Sequence, residues 1–146
     1  MRRTLMIMTI CTTLFSPGCT MAKASAADPK NPAQCIAAFQ WGHDRLQRSP
    51  TPTTSKYRTA LSLTARQLYY IQKLKGSGLA DGGEAETRAF AAAHGNDEAL
   101  LEDLMGKCLE VQDGEPDVAE SIANLTPLVL KVDPICRESP SVCQLR

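Results

Sequence analysis

The chain has 146 residues, with 16 basic and 16 acidic side chains for a formal net charge of zero, and 43% of it is hydrophobic. That composition suits one globular domain of ordinary size and excludes a disordered or collagen-like chain. Aromatic residues at 5% and only two histidines argue against a base-stacking or sugar-stacking face and leave little material for a metal or acid–base centre.

Arg2 and Arg3 give the chain a positive start, and a mostly apolar run follows from Leu5 to Phe15. A membrane-spanning helix needs ~20 residues, so this run is too short to be one. Pro17 and Gly18 break it and small residues follow. Both Ala22-Lys23-Ala24 and Ala24-Ser25-Ala26 fit the small-x-small pattern that a signal peptidase reads. Residues 1–26 are therefore predicted to be a cleaved signal peptide, and 27–146 a single helical domain of a periplasmic or secreted protein. Gly18-Cys19 offers a competing reading, a lipid anchor at Cys19, but Ser16 stands where a lipoprotein box has an aliphatic residue. No other run approaches transmembrane length.

Cysteine usage agrees with export. Cys11 and Cys19 fall in the leader, leaving Cys35, Cys108, Cys136 and Cys143. An even set in an exported domain reads as two disulfides, with three connectivities open. Cys35–Cys108 with Cys136–Cys143 is favoured, because the second pair closes a short loop and fastens the tail from Pro134 to Arg146. No C-x-x-C spacing occurs, so neither a redox dithiol, a zinc site nor a haem attachment is predicted, and no cofactor is expected.

The domain reads as helices throughout. Asn31-Pro32 is an N-cap followed by proline at the first helical position. Ile36, Phe39, His43 and Leu46 then recur at helical spacing until Ser49-Pro50. Ser49 to Ser55 is a linker, and a long helix is predicted from about Lys56 to Lys75, with Gly76 just beyond its end. Tyr57, Ala60, Leu61, Thr64, Leu68 and Ile71 form one apolar arc on it, and Leu63, Tyr70 and Leu74 a second, which predicts a central helix with two packing partners. Gly76 to Gly83 reads as a loop, and Glu84 to His94 as an alanine-rich helix closing at Gly95. Asn96 is expected to cap the next helix, whose stripe is Leu101, Leu104, Met105, Cys108 and Val111. Asp113 to Glu115 is a turn. Val118, Ile122, Leu125, Val129 and Val132 continue at helical spacing through Pro127, which implies a kink or a fresh start at Thr126; a short strand over 128–132 is the alternative. The expected fold is all-α, a small bundle of four to five helices stabilised by two disulfides.

Charge is distributed unevenly. Residues 30–75 carry eight basic side chains against one acidic, whereas residues 76–138 carry 14 acidic against four basic. Arg58, Arg66 and Lys73 share a narrow arc of the long helix and are candidate partner-binding residues through charge steering. The competing reading is that helices of opposite sign satisfy one another across the bundle. Trp41 lies off the first helix's apolar stripe and is a further candidate anchor for a partner. Nucleic acid is not an expected partner, because no broad basic and aromatic patch is present.

Catalytic signals are poor. His43 and Asp44 are neighbours that point about 100° apart on a helix and are not expected to pair. His94 sits at a helix end, where an imidazole suits the dipole. No nucleophile elbow, zincin motif or phosphate loop occurs. Asp113, Glu115 and Asp117 alternate like the start of a calcium loop. Val118 and Asn124 occupy the positions that need glycine and glutamate, so a solvated turn is expected. The sequence therefore predicts no enzyme and no metal site. It predicts a protein that acts by binding another envelope protein, as an inhibitor or accessory factor. An acid- or stress-responsive holdase and a small-ligand binder are the alternatives, and two carboxylates converging in a pocket would be the mark of an enzyme.

Overall fold

The computed structural model describes residues 25–51, 53–133 and 136–137; the predicted leader, Cys19 and Cys143 lie outside them. Within the described residues the regular structure is helical, with five helices and no strand: α1 (Pro32–Gln47), α2 (Thr54–Gly76), α3 (Ala80–His94), α4 (Glu98–Asp113) and α5 (Val118–Val132). α1 packs on α2, α3 and α4, while α2 packs on α1, α3 and α5. The expectation of a central α2 is therefore met, but α1 is equally central. Its run from Ala33 to Phe39 is buried on every side, because Ala33, Ala37, Ala38 and Gly42 let neighbouring helices approach closely. A Cβ on Gly42 would lie 2.5 Å from Met105 Sδ of α4.

The helix ends follow local chemistry. Asn31 caps α1 by accepting from Ala33 N, and its Nδ2 donates to Glu86 Oε1 of α3 at 2.6 Å. Thr53 caps α2, which begins earlier than the apolar periodicity suggested. Its C-terminus is also displaced, since the residue in left-handed conformation is Gly78 (φ 74°) and not Gly76. Leu79 N donates to Leu74 O and Gly78 N to Lys75 O, the paired bonds of a Schellman end. The predicted loop over 76–83 is accordingly shorter, and α3 absorbs Gly82 and Gly83. At Gly83 a Cβ would fall 2.6 Å from Leu74 Cδ1, so any side chain there would require Leu74 to move. Asp97 caps α4 by accepting from Leu100 N, in place of the expected Asn96. α5 is one helix through Pro127, so the strand alternative and the fresh start at Thr126 are both set aside. Proline cannot donate to Ala123 O, but both residues are exposed, and water can satisfy that carbonyl.

The core joins Phe39, Leu61, Leu63, Tyr69, Tyr70, Phe90, Leu101, Leu104, Leu125 and Val129. Phe39 and Tyr70 stack across α1 and α2 with ring centroids 6.2 Å apart. Cys35 and Cys108 are bonded, fastening α4 to α1 across 73 positions of sequence, and both are fully buried. Cys136 is buried and disulfide-bonded as well, and Cys143, its expected partner, falls outside the described residues.

Candidate functional site

The basic arc of α2 is engaged within the bundle, with Arg66 mostly buried and Arg58 and Lys73 exposed. Arg66 Nη1 pairs with Asp113 Oδ1 at 2.7 Å and donates to Gln112 Oε1 at 2.8 Å, while Gln112 Nε2 donates to Arg66 O at 3.1 Å. Lys73 pairs with Glu115 and lies over the Tyr69 ring. Arg66, Tyr69 and Lys73 are spaced three and four residues apart, hence on one face of α2. That face grips the acidic segment between α4 and α5. The turn is exposed at Asp113, Gly114, Pro116 and Asp117, in keeping with a solvated turn, and each of its alternating carboxylates also meets a donor from α2. Arg58 remains on the exposed side of α2 and is engaged there.

Tyr69 lies at the centre of this grip. Its hydroxyl is 2.5 Å from Glu115 Oε2 and 2.8 Å from Asp117 Oδ1, and its single proton serves one carboxylate at a time. Two carboxylates therefore do converge, but on a tyrosine and a lysine of the protein itself, and neither belongs to the two concave surfaces described below. Burial, reinforced by hydrogen bonds to Glu115 and Asp117, holds the Tyr69 phenol far above its usual 10.0. Burial and the charge of Glu115, partly offset by Arg66, push Tyr70 up to about 12. Both folded values exceed the unfolded one, so their contribution to stability is complete below pH 10 and is lost as the pH rises through the folded values. Tyrosinate absorbance from these two rings is expected to appear late in an alkaline titration, together with loss of helical circular dichroism. Ionisation of both rings ahead of unfolding would overturn this account.

His43 and Asp44 do pair, contrary to expectation, with Nδ1 and Oδ1 3.0 Å apart. Gln40 Nε2 donates to the same Asp44 oxygen at 2.8 Å, and Gln47 Nε2 is 3.0 Å from His43 Nε2. The flanking glutamines, one turn away on either side, close a polar row along α1. His94 packs its ring on Phe90 at 4.6 Å, and its buried Nε2 has no hydrogen-bond partner among the described residues.

Two concave surfaces stand out among the described residues. The first is formed by Trp41, Arg45, Arg48, Ser49, Pro50 and Glu98, at the C-terminal end of α1 beside the start of α4. Trp41 is half-buried, and the Arg45 guanidinium lies 5.1 Å from its ring centroid while reaching Glu102 at 3.4 Å. The second is a groove of about 370 Å³ between α1, α2 and α3, with Ile36, Ile71, Leu74 and Ala80 as its floor and Lys75, Asp81 and Glu84 around it. Lys75 and Asp81 have no ion-pair partner among the described residues. Nothing in the sequence pointed to this groove, because three separate helices line it. On α5, Leu128 and Val132 are exposed one turn apart, at 54% and 72%. No group of three or more metal-ligating side chains occurs among the described residues, and no helix there is long and apolar enough to cross a membrane. Comparison with protein-family models, with curated proteins and with solved structures returned no match.

Proposed function

We propose that this chain is an exported periplasmic protein that works by binding another envelope protein, as an inhibitor or accessory factor, and performs no chemistry of its own. The observation that carries the reading is the Trp41 surface. A half-buried indole braced by one arginine, with Arg48 beside it, combines the two residue types most enriched at binding hot spots. The exposed Leu128 and Val132 add apolar area of the kind that partners cover. The buried Cys35–Cys108 bond suits an oxidising compartment, and the bonded state of Cys136 supports a second staple to Cys143. The converging carboxylates, being occupied by Tyr69 and Lys73, support a structural and not a catalytic role for the acidic segment.

The test is crosslinking of the tagged protein in its native envelope, followed by mass spectrometry, for the unaltered chain and for Trp41→Ala. One dominant partner at near-equal stoichiometry, lost in Trp41→Ala, is the expected result. Capture of no partner, or of many clients equally by both chains, would sink this reading. The groove at Ile36 and Leu74 favours a second reading, a small-ligand binder, since its volume sits at the lower end of the ~300–1,000 Å³ of small-molecule sites. That reading is favoured if no partner is captured and a small apolar zwitterion such as L-leucine shifts the methyl resonances of Ile36, Ile71 and Leu74.

A further inference from the structure

We propose that the leader is removed after Ala24, so that the mature chain begins at Ser25. This rests on the export reading above. Two sites in the sequence satisfy the small-x-small requirement, one ending at Ala24 and one at Ala26. The peptidase's side-chain preference does not separate them, because alanine stands at both positions of each. What separates them is the use the fold makes of the two residues in between.

Gln34, in the first turn of α1, is 1% exposed and is one of three buried polar residues among the described ones. Its amide is held entirely by the segment that precedes the helix. Oε1 accepts from Asp28 N at 2.8 Å, and Nε2 donates to Ser25 Oγ at 2.8 Å and to Ala26 O at 3.3 Å. Asp28 is itself fixed, since its Oδ1 accepts from Lys30 N and its carbonyl from Asn31 N. The segment from Ser25 to Asn31 therefore forms a clasp around one buried side chain. Cleavage after Ala26 leaves the Asp28 contact but removes both protein acceptors of Nε2 together with the two residues that cover it, so the clasp is lost and water must replace it. Cleavage after Ala24 keeps the clasp whole. Ser25 and Ala26 thus behave as part of the folded domain, and the cut after Ala24 also lies nearer the apolar run that ends at Phe15.

The experiment is expression of the full chain with its own leader in a bacterial host, followed by intact-mass and N-terminal peptide analysis of the exported protein. A chain starting at Ser25 is the expected product. One starting at Ala27 overturns the cleavage site while leaving export intact. A chain retaining Met1, or an acylated chain starting at Cys19, overturns the export reading or its soluble form, and the cleavage site with it. A second measurement isolates the physical cause. The form starting at Ala27 should melt about 4 °C or more below the form starting at Ser25. In a Gln34→Leu background, which removes the donor, the two forms should melt together. Equal melting of the two forms with Gln34 in place would remove the basis for the proposal.

Discussion

Replacing Cys35 and Cys108 together by alanine is expected to cost about 4 kcal/mol of unfolding free energy, which is the chain-entropy estimate for a loop of this length. A domain of this size has ~5–15 kcal/mol in total, so the variant should lose a large part of its stability. The loss should be unevenly distributed. α4 leans mainly on α1 and only lightly on α5, and the disulfide joins α1 and α4 at a fully buried point. Amide exchange should therefore accelerate most in α4, around Leu101 and Leu104, and least where α1 packs on α2. Urea unfolding of the double variant, followed by hydrogen exchange at a denaturant concentration where both proteins are folded, checks both statements. An unchanged midpoint would show that packing alone holds α4 in place.

The bundle itself was legible in the sequence because its apolar residues recur at helical spacing and its helices start at recognisable caps. Asn31-Pro32 placed the start of α1 correctly, and Leu101, Leu104 and Cys108 marked the buried side of α4. The errors fall where two local signals compete. Gly76 and Gly78 are both candidates to end α2, and only the six-residue bond from Leu79 to Leu74 decides for Gly78. Asn96 and Asp97 are both good caps, and the choice depends on which side chain reaches the third amide onward. Gly82 and Gly83 look like a loop because helix propensity counts against them, whereas Gly83 answers to Leu74, a neighbour from another helix. The His43–Asp44 contact escaped for a similar reason, since Gln40 and Gln47 add contacts that a two-residue rule does not include. For the candidate site, residue type was readable and direction was not. Arg66, Lys73 and Trp41 stood out by residue type and position, but one sequence does not say whether a cation faces solvent or the acidic segment of a neighbouring helix.

Arg66 provides the sharpest test of that distinction, and Arg66→Ala is expected to lower stability by about 2–3 kcal/mol. Its guanidinium is only 17% exposed and donates to Gln112, which has no exposure at all. Removing it leaves Gln112 Oε1 buried without its donor, and a hydrogen bond to a charged group is worth ~1.5–3 kcal/mol. The pairing with Asp113 adds little, since that carboxylate is 59% exposed and screened by water. Lys73→Met, by contrast, should cost less than about 1 kcal/mol, because Lys73 is 51% exposed and its methylene stem can remain over the Tyr69 ring. Thermal and urea unfolding of the two variants would measure this difference directly. If both variants unfold like the unaltered chain, the α2 arc is not bound into the fold and is available to a partner, as charge steering requires. The expected asymmetry has a consequence for mapping the partner surface: loss of partner capture in Arg66→Ala would report an unsettled bundle. Trp41 packs against the edge of the core, so the same loss in Trp41→Ala reports the interface itself when that variant melts like the unaltered chain.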